Sequence, residues 1–356
     1  MSRLLAALVA LTAILAAPAQ AFDPARIGTL AEEADFNGVL LISRGDTIIY
    51  ARAFGTVTPG GDDPHRLDAR WRYASVTKQI VATIAMQEVA AGRLSLDAPI
   101  STYWPDYPNA EARGITLEQL MRHLSGLADP DFSPPTPTGL PAFYTPDWAD
   151  QATADGYCAG PMLTAPGAAF HYNNCDFIVL GAILERVTGQ SLAQLVASRI
   201  DPAMLFYPEG ADTVPGYYLD QAEPSIRLAA YGAAGGLNGT LLDLWRFDRA
   251  LLRGDLLDDA RRAAMWDGRP ELGQVALGQW SYDAPLAGCA EAPRLIERHG
   301  AIGGIQLRNF LLPDSDMVVI AATNRAEGDF NFGTIWSGSG FTHDLLSEAA
   351  CHWMDG

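Results

Sequence analysis

Lysine is almost missing from this 356-residue chain: 23 of its 24 basic residues are arginine, and the single lysine is Lys78. Positive charge as a whole is scarce, because 42 Asp and Glu bring the formal net charge to −18. Nucleic acid and anionic membrane surfaces reward basic patches, so neither is expected as a partner. Charged residues amount to 19% against 49% hydrophobic ones, which excludes a largely disordered chain. Beyond the N-terminus no apolar run is long enough to span a bilayer. The cysteines have no Cys-x-x-Cys spacing, and His123, His171, His343 and His352 have no ligand spacing, so no metal is expected. Gly235-Gly236 is no phosphate loop, and Ser339 lacks the flanking glycine of a Gly-x-Ser-x-Gly elbow.

What is present begins with an address. Arg3, the apolar run Leu4 to Ala16, Pro18 and Ala19-Gln20-Ala21 read as a signal peptide over 1–21, cut after Ala21. Residues 22–356 are then expected to be an exported domain, secreted or periplasmic, with no membrane anchor after cleavage. The four cysteines suit an oxidising compartment and allow three connectivities. Cys158–Cys175 with Cys289–Cys351 is preferred, since it closes a short loop and ties down the C-terminal helix. Free buried thiols are the alternative.

The patterning predicts a hairpin from Gly38–Ser43 and Thr47–Phe54, and another from Leu307–Leu312 and Met317–Ala322. Helices are expected from Ser75 to Ala91, over Thr116–Leu124 with a Thr116/Gln119 capping box, and near 174–189, 191–198 and 240–253. A closing helix is expected over Phe341–Trp353. Residues 129–160 have no sustained period and read as a long loop; Phe132, Tyr144, Trp148 and Tyr157 either wall a pocket or pack on one another. Strands at both ends with helices between imply a layered α/β fold. Its mainly antiparallel sheet would come from about 22–75 and 270–356, with an all-helical region inserted at about 76–269.

The lone lysine stands three residues after Ser75, one helical turn, so hydroxyl and amine can share a face. A serine hydroxyl is a weak nucleophile until a base takes its proton. Lysine can be that base once burial lowers its pKa, whereas arginine stays protonated. With 15 serines in the chain, chance would put one at this spacing about one time in 25, so the pair alone is moderate evidence.

The surroundings add to it. Ala74-Ser75-Val76-Thr77-Lys78, Ala91-Gly92-Arg93-Leu94-Ser95-Leu96-Asp97, Ile115-Thr116-Leu117, His123-Leu124-Ser125-Gly126-Leu127, Tyr172-Asn173-Asn174, Leu180-Gly181, Ala234-Gly235-Gly236-Leu237 and His299-Gly300-Ala301 occur in order. With them the chain resembles the serine β-lactamase and penicillin-binding protein superfamily, in the branch of class C β-lactamases, D-stereospecific peptidases and related esterases. The resemblance implies a β-lactamase-like fold and catalytic Ser75, Lys78 and Tyr172, the tyrosine moving protons because a cationic lysine favours its phenolate. It implies that Asn174 accepts from Lys78 and donates to a substrate carbonyl. It also implies an inner strand carrying His299, Gly300 and Ala301, whose Ile302 N–H completes an oxyanion hole with that of Ser75. Here the pattern departs: alanine stands where glycine is usual, and the spacing to Gly303-Gly304 is one residue tight. A neutral histidine in place of lysine weakens capture of a substrate carboxylate unless Arg298, Arg308 or another arginine supplies it.

The expected function is therefore cleavage of an ester or amide in a small molecule or peptide through a Ser75 acyl-enzyme, without metal or organic cofactor. A D-Ala peptidase or a class C-type β-lactamase is the alternative, and a penicillin-binding or sensing module that acylates without turnover is the rival from another class.

Overall fold

The computed structural model describes residues 22–351. The expected signal peptide lies outside that range, as do His352 and Trp353 of the expected closing helix. The chain opens with α1 (Pro24–Glu33), which the sequence reading did not anticipate. Asp23 caps it by accepting the Ala25 N–H, and Pro24 occupies the first turn, where its missing N–H costs nothing. Strands β1 (Gly38–Arg44) and β2 (Thr47–Phe54) form the first expected hairpin, turning at Gly45, which has φ +54°.

A two-residue strand, β3 (Trp71–Arg72), leads through a 3₁₀ turn at Ala74–Val76 into α2 (Thr77–Ala90). Short helices α3 (Ile100–Tyr103) and α4 (Leu117–Met121) follow, then α5 (Asn174–Thr188) and α6 (Leu192–Arg199). Strands β4 (Leu205–Phe206), β5 (Tyr217–Tyr218) and β6 (Gln221–Ala222) precede α7 (Gly232–Gly235), β7 (Leu237–Gly239), α8 (Leu241–Arg253) and α9 (Asp259–Met265). The chain then returns to sheet with β8 (Trp280–Asp283), β9 (Arg294–Ile302), β10 (Ile305–Leu312) and β11 (Met317–Thr323), and closes with α10 (Phe341–Cys351).

The main sheet has the order β2-β1-β11-β10-β9-β8, and each neighbouring pair is antiparallel. Both chain ends build it, with β1 paired to β11 in the centre. Each central strand is buried on both faces, because side chains alternate between two cores. Val39 and Leu41 face the helical region with Ile80, Ile84 and Phe177, while Leu40 and Ile42 face α1 and α10 with Ile27 and Leu346. A smaller sheet, β3-β7-β4, sits beside the helical layer and sets the chain just before Ser75.

Helix α2 lies inside this sandwich, and most of its residues are buried all round. Its buried polar residues are paired from outside: Asn309 donates to Gln79 Oε1, and Arg93 and Arg199 hold the fully buried Glu88. Helix α4 carries the expected capping box but stops at Met121 instead of Leu124, because His123 takes a left-handed φ of +58°. Residues 129–160 form 3₁₀ turns and loop. Within them Trp148 packs on Tyr157, so these two of the four expected wall residues belong to a loop packed on itself, while Phe132 packs on His171.

The cysteines pair as preferred, Cys158–Cys175 and Cys289–Cys351, with sequence separations of 17 and 62. In a chain-entropy treatment these closures contribute about 3 and about 4 kcal/mol. The shorter one anchors the start of α5, where Asn174 sits; the longer one only ties α10 to the segment after β8. Replacing Cys289 and Cys351 by alanine is expected to lower urea-unfolding stability by about 4 kcal/mol with little change in ester turnover. The Cys158/Cys175 double variant should lose less stability and more activity; the reverse ordering would show that the short bridge does not brace the site.

Candidate active site

Ser75 stands in the 3₁₀ turn that feeds α2. Ala74 before it has φ +47°, a conformation that costs an alanine about 1 kcal/mol and persists only where neighbours hold it. Here they do: Tyr73 donates its N–H to Leu237 O at 2.9 Å, and its hydroxyl donates to Thr240 O at 2.7 Å. The turn is thus stapled to β7 and to the start of α8.

One helical turn on, Lys78 has no exposed surface. Its Nζ donates to Asn174 Oδ1 at 2.7 Å, to Ala234 O at 2.7 Å and to Ser75 Oγ at 3.1 Å. Two of these partners can only accept, so they fix two N–H bonds whatever the charge state. The third position, facing Ser75, carries either a hydrogen or the lone pair of a neutral amine. Burial pulls Lys78 from the ordinary lysine range down to about 8, the Arg298 cation helping and Tyr172 opposing. At pH 7 about a tenth of the molecules would then present that lone pair to the serine.

Tyr172 lies on the other side of the nucleophile, its hydroxyl 2.6 Å from Ser75 Oγ. Burial alone would raise its pKa, but Arg298 and then Lys78 outweigh it, and the phenol is more acidic than usual. Arg298 Nη2 donates to the same oxygen at 2.6 Å, while Nε donates to Ser75 O at 2.8 Å. An arginine can only donate, so it favours the ionised form of Tyr172, in which the same oxygen can also accept the serine proton. The guanidinium and the ammonium also sit 5.1 and 4.8 Å from the centre of the Tyr172 ring.

Arg298 is the residue that the sequence reading misplaced. The inner strand is β9, but Arg298 takes the position given to His299, and every assignment after it shifts by one. Successive side chains point to opposite faces of a strand. Arg298 and Gly300 face Ser75; His299 faces away, stacking on Trp280 at 5.1 Å and lying across the strand pair from Arg308. The tight contact falls on Gly300: a Cβ there would stand 2.4 Å from Tyr73 O and 2.9 Å from Ser75 N. Its glycine is therefore required, and the methyl of Ala301 points with His299, away from that contact. Ile302 is buried at the strand end, its carbonyl accepting from Arg72 at 3.3 Å. The tight spacing to Gly303-Gly304 disappears once counting starts at Arg298.

Asn174 accepts from Lys78 as expected, but its amide also donates to the Tyr144 hydroxyl at 2.8 Å, so one of its two N–H bonds is taken. Tyr144 stacks on Tyr231 at 4.1 Å and is the one member of the aromatic set that reaches these residues. His171 does not share the face of Tyr172; it pairs with Asp129 at 2.7 Å. Ser125 donates to Asp176, which also meets His123 Nδ1 at 2.9 Å, and the His123 ring lies 4.4 Å from that of Tyr172. The Ala234 carbonyl was not anticipated, although Ala234-Gly235-Gly236 stood among the ordered motifs. Among the described residues no group of three or more His, Cys, Asp or Glu is placed to hold a metal ion.

The family model described as Beta-lactamase matches residues 25–336. Esterase EstB of Burkholderia gladioli is 34% identical over 172 residues, covering 44% of this chain and 42% of that protein's length. The D-alanyl-D-alanine-carboxypeptidase/endopeptidase AmpH of Escherichia coli is 24% identical, covering 81% of this chain and 79% of that protein. Among solved structures, the D-amino acid amidase from Ochrobactrum anthropi SV3 superposes with a TM-score of 0.74 at 20% identity, covering 92% and 98% of the two chains, and so shares the fold. With a family model matching residues 25–336, a span that also holds Ser75, Lys78 and Tyr172, the chain belongs to the beta-lactamase family and is a hydrolase of that family.

Proposed function

We propose that this protein cleaves an ester or amide by forming an acyl-enzyme on Ser75. One observation carries the reading: Ser75 Oγ lies 2.6 Å from the Tyr172 hydroxyl, whose ionised form Arg298 favours, with Lys78 Nζ 3.1 Å away on the other side. In acylation the serine proton passes to the Tyr172 phenolate, or to neutral Lys78 directly, as Oγ bonds to the carbonyl carbon. The same proton then goes to the leaving oxygen or nitrogen. Water attacks the acyl-enzyme with Tyr172 as base, and the proton returns to Ser75 as the acid departs. The oxyanion is stabilised by the Ser75 N–H and, with counting from Arg298, by the N–H of Ala301 rather than that of Ile302.

An esterase reading draws on the identity with EstB, and a D-amino-acid peptidase or amidase reading draws on AmpH and the amidase fold. The second is favoured by Arg298, a fixed cation where the sequence suggested a neutral histidine. Two disulfides suit export, and no helix among the described residues is long and apolar enough to cross a membrane.

Ser75→Ala is expected to abolish turnover of p-nitrophenyl esters and labelling by a fluorophosphonate, and Lys78→Arg, which keeps the charge, should lose nearly all acylation. Retention of either activity in Ser75→Ala would remove the nucleophile assignment. Because the deprotonated Lys78–Tyr172 pair is the competent form, kcat/KM for a neutral ester should rise with pH and level off above an apparent pKa near 8. A flat profile between about pH 6 and 9 contradicts that proton path. Arg298→Ala should cost about a hundredfold or more in kcat/KM and His299→Ala less than about tenfold with the same ester. Equal losses would restore the histidine register.

A further inference from the structure

A cavity opens on the face of β9 turned away from Ser75. It has a volume of about 320 Å³ and lies between β8–β10 and the segment 333–342, lined by Trp280, Glu297, His299, Arg308, Thr334 and Trp336 among others. Its charge is unusual. Arg308 meets Gln306 Oε1 at 3.4 Å through Nη2 and lies 4.6 Å from the Phe332 ring, but its buried Nη1 has no hydrogen-bond partner. Burial pulls this arginine down only to about 10, so it stays a cation at neutral pH. A buried guanidinium nitrogen without an acceptor costs free energy that a bound anion would recover.

The walls select the rest of the ligand. Trp280 is sandwiched between rings, 5.1 Å from His299 and 6.5 Å from Tyr172, so it separates this cavity from the proton-transfer residues. Trp336 stacks on Tyr282 at 3.9 Å and leaves about half its surface (53%) exposed at the mouth. The exposed Trp336 ring at the mouth and the Arg308 cation in the lining suit a planar apolar group bearing one negative charge. A dianion is disfavoured, because Glu297 is in the same cavity. We propose that this cavity binds a carboxylate carried on a flat apolar group, as a site separate from Ser75.

Glu297 gives the site a pH response. Burial raises its pKa to about 7, with the Tyr282 hydroxyl, Arg308 and Arg298 pulling the other way. Glu327 and His299 are the other ionisable groups near Arg308 or in the lining, and the lining residues from 333–342 include none. Ionised Glu297 competes with an anion for Arg308, so affinity should fall as pH rises through 7.

The test is equilibrium binding to Ser75→Ala protein, which separates the pocket from the chemistry. Phenylacetate should bind about tenfold or more tightly than phenylacetamide, the size of one charge-assisted hydrogen bond. Arg308→Gln in the same background should erase that preference, Arg308→Lys should restore part of it, and Glu297→Gln should flatten its pH dependence, with melting temperature and circular dichroism reporting the fold. Should Arg308→Gln fail to fold, Trp336→Ala at the open mouth is expected to weaken both probes. Equal affinity for acid and amide, no binding of either, or a preference that survives Arg308→Gln would overturn the proposal.

Discussion

A lysine side chain with no exposed surface is the constraint from which the rest of this site follows. Taking an ammonium out of water costs several kcal/mol unless acceptors surround it. Two acceptors here are immovable, the Ala234 carbonyl and Asn174 Oδ1, and they come from two different elements. The fold must therefore bring α2, α5 and the short α7 to one point, and stacking α2 against both helices achieves this. Removing either acceptor would leave a buried N–H unpaired, so the helical layer is tied to the chemistry even where it touches no substrate.

The other half of the site comes from the far end of the chain. Strand β9 passes so near the nucleophile turn that only glycine fits at 300, and that approach delivers Arg298 to Ser75 O and the Tyr172 oxygen together. The pairing of β9 with β10, and of β10 with β11, fixes the register of this strand. A slip by one residue would turn Arg298 to the other face of the sheet and bring His299 to the face that holds Tyr172. Sheet register thus decides which basic side chain meets the phenol.

Some of this could be read without coordinates. The pairing of Ser75 with Lys78 is local, since helical pitch alone sets three residues apart on one face, and the strand–turn–strand patterns at both ends carried the sheet in the same way. Tyr172 and Asn174 were reachable only through an ordered set of motifs, because nothing in a sequence of this kind measures a distance across 97 residues. The histidine was misread for a physical reason. Strand parity flips a face with a single residue, and composition says nothing of which parity a hairpin at Gly303-Gly304 imposes. Helix α1 was missed because its apolar residues, Ile27, Leu30 and Ala31, are too few to announce a period, and tertiary burial against α10 does the work that pattern does elsewhere.

The scarcity of positive charge takes on a different meaning in three dimensions. A chain with a net charge of −18 holds Lys78 and Arg298 within hydrogen-bond reach of one serine and one tyrosine, and the bonds described for both run to neutral oxygens or to Tyr172, not to a carboxylate. Two buried cations compensated by carboxylates would be a structural salt bridge, and their field would be spent. Left without one, they favour whatever negative charge can form between them: the Tyr172 phenolate and, on the proposed acyl-enzyme path, the oxyanion that follows. Arginine serves where the charge must never be lost. In the proposed reaction lysine is kept for the one position where losing the charge, at a pKa of about 8, is part of the proton path.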